Sequence, residues 1–299
     1  MGCPAPAGAR VAAADMTVVA CCQVAPALGN LAGNRELTAE SVSSAAAMGA
    51  SVIVLPELVS SGYVFESQAE ARACAEVPDG QTVTLWARLA ADYGIVIVGG
   101  FCEIVNGELF NSAALVDPDG LRTVYRKAHL WGEESLWFAR GSAAPPVVAT
   151  KFGRIAVMIC YDLEFPEWVR VPALEGAQLL CAPVNWPASP RPDGERPAEI
   201  VRVQADAAVN RMFIAACDRT GEERGVEWVA GSVIVDADGW PLAGAELTAG
   251  PVTIAAECGL DSALDKAISP TNDVHADRRP GLYRRVAEEA GSRLASSGG

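Results

Sequence analysis

Short, almost wholly apolar runs recur along this 299-residue chain, separated by amphipathic stretches and turn residues. That alternation dictates a layered α/β architecture. Residues 17–23, 51–55, 95–103, 111–117, 122–126, 154–159, 178–183, 212–217, 231–236 and 252–257 read as strands. Helical patterns cover 34–48, 82–93 and 197–210, and Pro166 opens a further short helix at a position where its missing N–H costs nothing. In the first helix Leu37, Ser41, Ala45 and Met48 are expected on one face, with Gly49 just beyond its end. In the second, Leu85, Leu89 and Tyr93 are spaced four apart and Gly94 is the stop. Pro118-Asp119-Gly120 and Asp238-Gly239 are turns.

With 51% apolar and 20% charged residues, the chain has ample material for a core. Its net charge of −14 repels phosphate backbones and anionic lipid, so neither nucleic acid nor a membrane is an expected partner. No apolar run approaches the length of a membrane span. Residues 1–15, rich in Ala, Gly and Pro, lack the apolar core of a signal peptide and read as a flexible extension. The nine cysteines form an odd set with no CxxC pair, mostly inside apolar runs. That usage predicts buried thiols in a reducing, cytoplasmic setting. Two histidines make a structural zinc site unexpected. Residues 16–260 are therefore expected as one α/β domain. Residues 261–299, polar and carrying Pro270, Pro280 and Asp277-Arg278-Arg279, are expected as a tail on the surface or on a partner subunit.

Three chemistry-bearing residues each stand just past a buried strand: Glu57 after Leu55-Pro56, Lys127 after Tyr125-Arg126, and Cys160 after Met158-Ile159. Strand ends of layered α/β sheets are where ligands bind. Each also has an ordinary structural reading: a solvated loop carboxylate, a surface lysine, a buried small hydrophobe. Together they offer a base, a cation and a thiol, the parts of covalent acyl chemistry. GxSxG, Walker A and GxGxxG are all absent, and His129 or His275 would have to serve any Cys-His dyad without a supporting motif.

The flanking residues resemble the carbon–nitrogen hydrolase (nitrilase) superfamily across nearly the whole domain. The resemblance is carried by Leu55-Pro56-Glu57-Leu58 with Ser61-Gly62-Tyr63, by Tyr125-Arg126-Lys127-Ala128-His129-Leu130, and by Cys160-Tyr161-Asp162-Leu163-Glu164-Phe165-Pro166-Glu167. It implies a single-domain, four-layer α-β-β-α sandwich with a Glu57–Lys127–Cys160 catalytic set. Cys160 would attack an amide carbonyl, Glu57 would carry protons, and Lys127 with the Tyr161 N–H would hold the oxyanion. The family's second glutamate maps onto Glu133 or Glu134; Glu134, seven residues before Gly141 with Phe138 between, fits the pattern better. The resemblance further implies no metal and no cofactor, and a homodimer or higher homo-oligomer stacked through its outer helices.

Cys160-Tyr161-Asp162 is similar to the amidase branches, and Asn185-Trp186-Pro187 and Ala216-Cys217-Asp218-Arg219 resemble bacterial omega-amidase relatives. Tyr63, Tyr161, Glu164, Asn185 and Trp186 are the expected substrate-binding residues. Omega-amidases acting on dicarboxylic monoamides usually carry Arg where this chain has Glu164. If Glu164 faces the pocket, a carboxylate-tailed substrate meets repulsion. A neutral or amine-bearing aliphatic amide is then expected. A Glu164 turned to solvent, or placed in the first turn of the Pro166 helix, would remove that argument. A nitrilase, an N-carbamoyl amine hydrolase and a catalytically silent scaffold are the rival readings.

Overall fold

Successive side chains of a strand point to opposite faces, and the first strand, β1 (Thr17–Gln23), shows what that alternation builds here. Val19 and Cys21 enter one apolar core, whereas Ala20 and Cys22 enter another. The computed structural model describes residues 16–244 and 247–288. The extension expected at residues 1–15 lies outside them.

Helix α1 (Leu31–Ala47) follows β1, capped by the Asn30 side chain, which accepts from the Gly33 N–H at 3.1 Å. Then come β2 (Val52–Val54), α2 (Gln68–Ala73), α3 (Gln81–Tyr93), β3 (Val96–Val105), β4 (Glu108–Asp117) and β5 (Gly120–Arg126). After α4 (Glu134–Trp137) the second half runs β6 (Val147–Thr150), β7 (Gly153–Val157), α5 (Pro166–Leu174), β8 (Leu179–Pro183), α6 (Ala198–Asn210) and β9 (Phe213–Cys217). It closes with β10 (Glu222–Glu223), β11 (Val226–Glu227), β12 (Val233–Val235), β13 (Pro241–Ala243) and β14 (Val252–Cys258).

Two six-stranded sheets result, ordered β14-β1-β2-β3-β4-β5 and β13-β12-β9-β8-β7-β6. Val19, Val52, Val54, Val96 and Val98 of the first sheet share a core with Ile155, Val157, Leu179 and Cys181 of the second. The opposite face of the first sheet, with Ile53 and Ile97, packs on Val42 and Ala45 of α1 and on Val83, Trp86 and Leu89 of α3. α5 and α6 cover the outer face of the second sheet with Val169, Ala173, Ile200, Val203 and Ala207. The order is helix, sheet, sheet, helix: the four-layer α-β-β-α sandwich.

The structure corrects several details. The buried face of α1 is Asn34, Thr38, Val42 and Ala45, and Met48 is exposed. In α3, Thr82, Val83, Trp86, Leu89 and Ala90 are buried while Tyr93 is exposed. β6, β13, α2 and the β10–β11 hairpin were not expected. The main unit extends through Asp265, because Leu260 and Ala263 of a 3-10 turn are buried in its core. Residues 266–299 form a separate unit, described to residue 288 as a small hairpin, β15 (Ala267–Ser269) with β16 (Asn272–Asp273), and two 3-10 turns. Among the described residues no helix is long and apolar enough to cross a membrane. The eight cysteines described are free and buried; Cys3 lies outside the described residues.

Candidate active site

The ends of β2, β5 and β7 deliver Glu57, Lys127 and Cys160 to one place. β2 continues into Leu55, whose N–H donates to Val98 O at 2.8 Å, before Pro56 turns the chain and Leu58 adopts φ +45°. This turn lies directly on β3. A Cβ at Gly100 would stand 2.6 Å from Glu57 Cα and 2.7 Å from Pro56 O, so only glycine allows the approach. Lys127 donates its N–H to Asn111 O at 2.9 Å, and its carbonyl accepts from Gly141 N at 2.8 Å. Cys160 itself has φ +45°, a strained value for a residue with a side chain, and it opens a 3-10 turn, Cys160–Glu164.

Asp162 clamps that turn to the lysine loop. Its buried carboxylate accepts from Ile159 N at 3.2 Å, from the Tyr125 hydroxyl at 2.7 Å and from His129 N at 3.1 Å, and it meets His129 Nδ1 at 2.7 Å. His129 stacks on Phe165 with ring centroids 3.8 Å apart.

At the centre, Lys127 Nζ donates to Glu57 Oε1 and to Glu134 Oε1, both at 2.7 Å. All three side chains are buried. Glu134, and not Glu133, is the second glutamate beside the lysine. Tyr63 donates its hydroxyl to the same Glu134 oxygen at 2.5 Å, and Trp131 N donates to Oε2 at 3.1 Å. Asn111 Nδ2 donates to Glu57 Oε1 at 2.7 Å and reaches Glu134 Oε1 at 3.5 Å. Glu57 Oε2 is left buried without a partner. Asn111 was missed from sequence, where it only opens an apolar strand, and so was the clamping role of Asp162.

Burial pushes the Glu57 carboxyl up to about 7, with Lys127 opposing and Glu134 adding to the rise. Burial also raises the Cys160 thiol well above its usual range, with Glu57 adding to the rise and Lys127 opposing it. For Lys127, burial works against the charge, yet the pull of Glu134 and Glu57 leaves it raised well above an ordinary lysine. The site therefore holds a firmly charged ammonium, a neutral thiol, and a carboxylate poised near neutrality to exchange a proton.

A cavity of about 60 Å³ opens on Cys160, lined by Tyr161, Glu164, Asn185, Trp186 and Glu199 among others. The Cys160 thiol points to Asn185 O at 3.7 Å, and Asn185 Nδ2 donates to Glu57 O at 2.9 Å. Trp186 N is held by Asp218 Oδ1 at 3.0 Å. Glu164 lines this cavity, but its carboxylate pairs with Arg202 of α6 at 2.8 Å, so its charge is largely met. Glu199, one turn earlier on α6, adds a second carboxylate to the wall. Tyr63 lies instead in an adjoining cavity, with Glu134. Trp168 is packed into the lysine loop, donating Nε1 to the Tyr125 hydroxyl at 3.1 Å. Among the described residues, no three His, Cys, Asp or Glu side chains are grouped so as to hold a metal ion.

Comparisons with known proteins place this fold among enzymes that cleave carbon–nitrogen bonds. The family model for Carbon-nitrogen hydrolase matches residues 18–263. A protein of Pyrococcus abyssi named a nitrilase is 34% identical over 273 residues, covering 90% of this chain and 100% of that relative. An N-carbamoylputrescine amidase of Solanum lycopersicum is 31% identical over 264 residues, covering 82% and 86% respectively. Among solved structures, a variant of the amidase from Nesterenkonia sp. AN1 carries the acetamide moiety of fluoroacetamide covalently added at its active-site cysteine. It superposes with a TM-score of 0.75 at 27% identity, covering 93% of this chain and 99% of that one. The chain belongs to the carbon–nitrogen hydrolase family of the nitrilase superfamily, and it is an enzyme of that class.

Proposed function

We propose that this enzyme hydrolyses a small aliphatic amide, neutral or amine-bearing, to the carboxylic acid and ammonia through a thioester on Cys160. The observation that carries the reading is the buried Lys127 bridge between Glu57 and Glu134 beside a cavity that opens on a thiol. Glu57 Oε1 is occupied by Lys127 and Asn111, so the unpartnered Oε2 is the oxygen free to take the thiol proton. With a thiol raised by burial and a carboxyl near 7, the proton moves as sulfur bonds to the carbonyl carbon. No free-standing thiolate is needed.

As the C–S bond forms, the carbonyl π pair moves onto oxygen. Lys127 has three N–H donors, and two are used by the glutamates; the third, with the Tyr161 N–H, holds the oxyanion. The oxyanion collapses, the C–N bond breaks, and the nitrogen leaves as ammonia with the proton from Glu57. Glu57 then takes a proton from water as the hydroxide adds to the thioester carbon. Collapse releases the acid, and the thiol regains its proton. Glu134, fixed by Tyr63 and the Trp131 N–H, keeps Lys127 oriented throughout.

Glu164 and Glu199 against one Arg202 leave an acidic excess on the cavity wall, which supports discrimination against dicarboxylic monoamides. The pairing with Arg202 makes that discrimination milder than a bare Glu164 would. The tomato relative's name favours one second reading, carbamoyl cleavage, which would release carbon dioxide with the ammonia. A homodimer with the C-terminal unit at its interface is part of the proposal, supported by the exposed apolar residues Ile268, Leu282, Tyr283 and Val286. The test is ammonia release from a neutral aliphatic amide, an omega-amino amide, a dicarboxylic monoamide, an N-carbamoyl amine and a nitrile, run beside Cys160→Ala. Turnover of a neutral or amine-bearing amide, lost in the variant, is expected. Preferred turnover of the dicarboxylic monoamide would overturn the charge argument, and carbon dioxide among the products would favour the second reading.

A further inference from the structure

A second cavity, of about 230 Å³, adjoins the one that opens on Cys160, and Trp131 and Pro187 wall both. Tyr63 and Glu134 line it too, and they meet at 2.5 Å, so it reaches the carboxylate that holds Lys127. Its remaining walls are mainly apolar, with Phe65, Trp137, Val226 and Trp228. Nothing in the hydrolytic steps uses these side chains. Amide chemistry needs the small cavity; the large one is available for whatever the amide is attached to.

Size and charge narrow the occupant. An apolar cavity of about 150 Å³ is enough to bind benzene, so this one accepts a phenyl ring with a short spacer. An aromatic lining alone would equally suit an alkylammonium group. Here, however, the Arg219 guanidinium lies 4.7 Å from the Trp228 ring centroid, buried and paired with Glu223 at 3.0 Å. One face of Trp228 is thus already occupied by a cation, and that fixed charge disfavours a second cation on the other face. Tyr63 meets Trp228 edge-on at 5.5 Å and commits its hydroxyl proton to Glu134, so it offers the cavity a ring and no free donor. Glu133 stands exposed at the cavity, where solvent screens its charge, so it adds little attraction for an ammonium and little repulsion of a carboxylate.

We infer that this cavity is the acyl subsite and that it selects a neutral, apolar, ring-sized substituent on the acyl side of a primary amide. The carboxamide lies in the small cavity at Cys160, and the substituent passes Trp131 and Pro187 into the aromatic chamber. This inference rests on the amidase reading and resolves its neutral and amine-bearing alternatives in favour of the neutral, arylalkyl class.

The experiment is a kcat/KM series on the full-length protein with butyramide, 3-phenylpropanamide, 4-aminobutanamide and N-benzylacetamide. Burying a phenyl group predicts that 3-phenylpropanamide exceeds butyramide by at least about 30-fold, mostly through KM. Val226→Trp fills the chamber from its partly exposed edge and is expected to bring that ratio down at least 10-fold. Trp137→Ala, which opens it, is expected to raise KM for the phenyl substrate more than for butyramide. A ratio near one with butyramide still hydrolysed would overturn the subsite and leave the amidase reading standing. Better turnover of 4-aminobutanamide than of 3-phenylpropanamide would overturn the charge assignment. Faster release of benzylamine from N-benzylacetamide would show that the chamber serves the leaving group and would overturn the inference. Absence of turnover with any amide would overturn the amidase reading itself.

Discussion

Replacing Asn111 by Leu, its near match in volume, removes one of the two donors to Glu57 Oε1 and leaves the backbone bond from Lys127 N to Asn111 O in place. The lost bond is 2.7 Å long and made to a carboxylate. Hydrogen bonds to charged groups contribute about 1.5–3 kcal/mol. At 1.36 kcal/mol per pKa unit, the loss lifts the Glu57 carboxyl by roughly one to two units. Glu57 starts near 7 and works in its ionised form, so less of it is competent at any pH below the new value. The acid limb of the kcat/KM profile should therefore move from about pH 7 to about pH 8–9, since that profile reports the free enzyme's groups. Asn111 Oδ1 has no partner in its buried position, so removing it offsets part of the stability loss. Initial-rate ammonia assays between pH 5 and 10 measure the shift. A profile merely scaled down, with its acid limb still near 7, would refute the reasoning and reduce Asn111 to a packing residue.

Other expectations follow from the same contacts. Glu57→Gln removes a carboxyl whose folded pKa is raised from 4.5 to about 7. A raised carboxyl costs stability as pH climbs through that window, by about 3 kcal/mol in full at 1.36 kcal/mol per unit. The inactive variant should thus gain on the wild type between pH 4.5 and 7 in urea unfolding, and a constant difference across that range would contradict the shift. Arg202→Ala strips the counter-charge from Glu164, so the kcat/KM ratio of an omega-amino amide to a dicarboxylic monoamide should rise several-fold, and less so in high salt. Leu282→Asp with Val286→Asp places charges on two exposed apolar side chains of the C-terminal unit. Light scattering should show a weaker dimer, and an unchanged mass at low concentration would remove that unit from the interface.

Much of this architecture is written in short-range patterns. β8, β9 and the Val18–Cys22 centre of β1 are continuous apolar runs and are read with little error, because a strand covered on both faces keeps polar residues to its ends. Helix faces are harder. α1 mixes small and polar residues around its whole circumference, so its buried side, with Asn34 and Thr38, gives little contrast against its exposed one. Glu57 and Cys160 are visible because each stands at the end of an apolar run. Lys127 is visible only through its flanking motif, since β5 carries Arg122, Thr123 and Arg126 and is largely half-buried or exposed, not the buried strand expected. Asn111 is not visible, since its meaning depends on β4 bringing it beside residues 54 and 23 positions away in the chain. Arg202 likewise lies 38 residues from Glu164 in sequence, and no local signal ties the two. The edge strands β6 and β13 span only four and three residues and start beside Pro146 and at Pro241, so they are too short, and too close to a turn residue, to announce themselves as strands.

The central claim is that Cys160 carries the acyl group, and acid quenching during turnover tests it most directly. The enzyme, mixed with a primary amide it hydrolyses and quenched within milliseconds to seconds, is digested and weighed by mass spectrometry. The account predicts an added acyl mass on the peptide containing Cys160, removed by hydroxylamine, with neither adduct nor ammonia release in Cys160→Ala. Ammonia release that persists in Cys160→Ala, or an acyl group found on another residue, would contradict it.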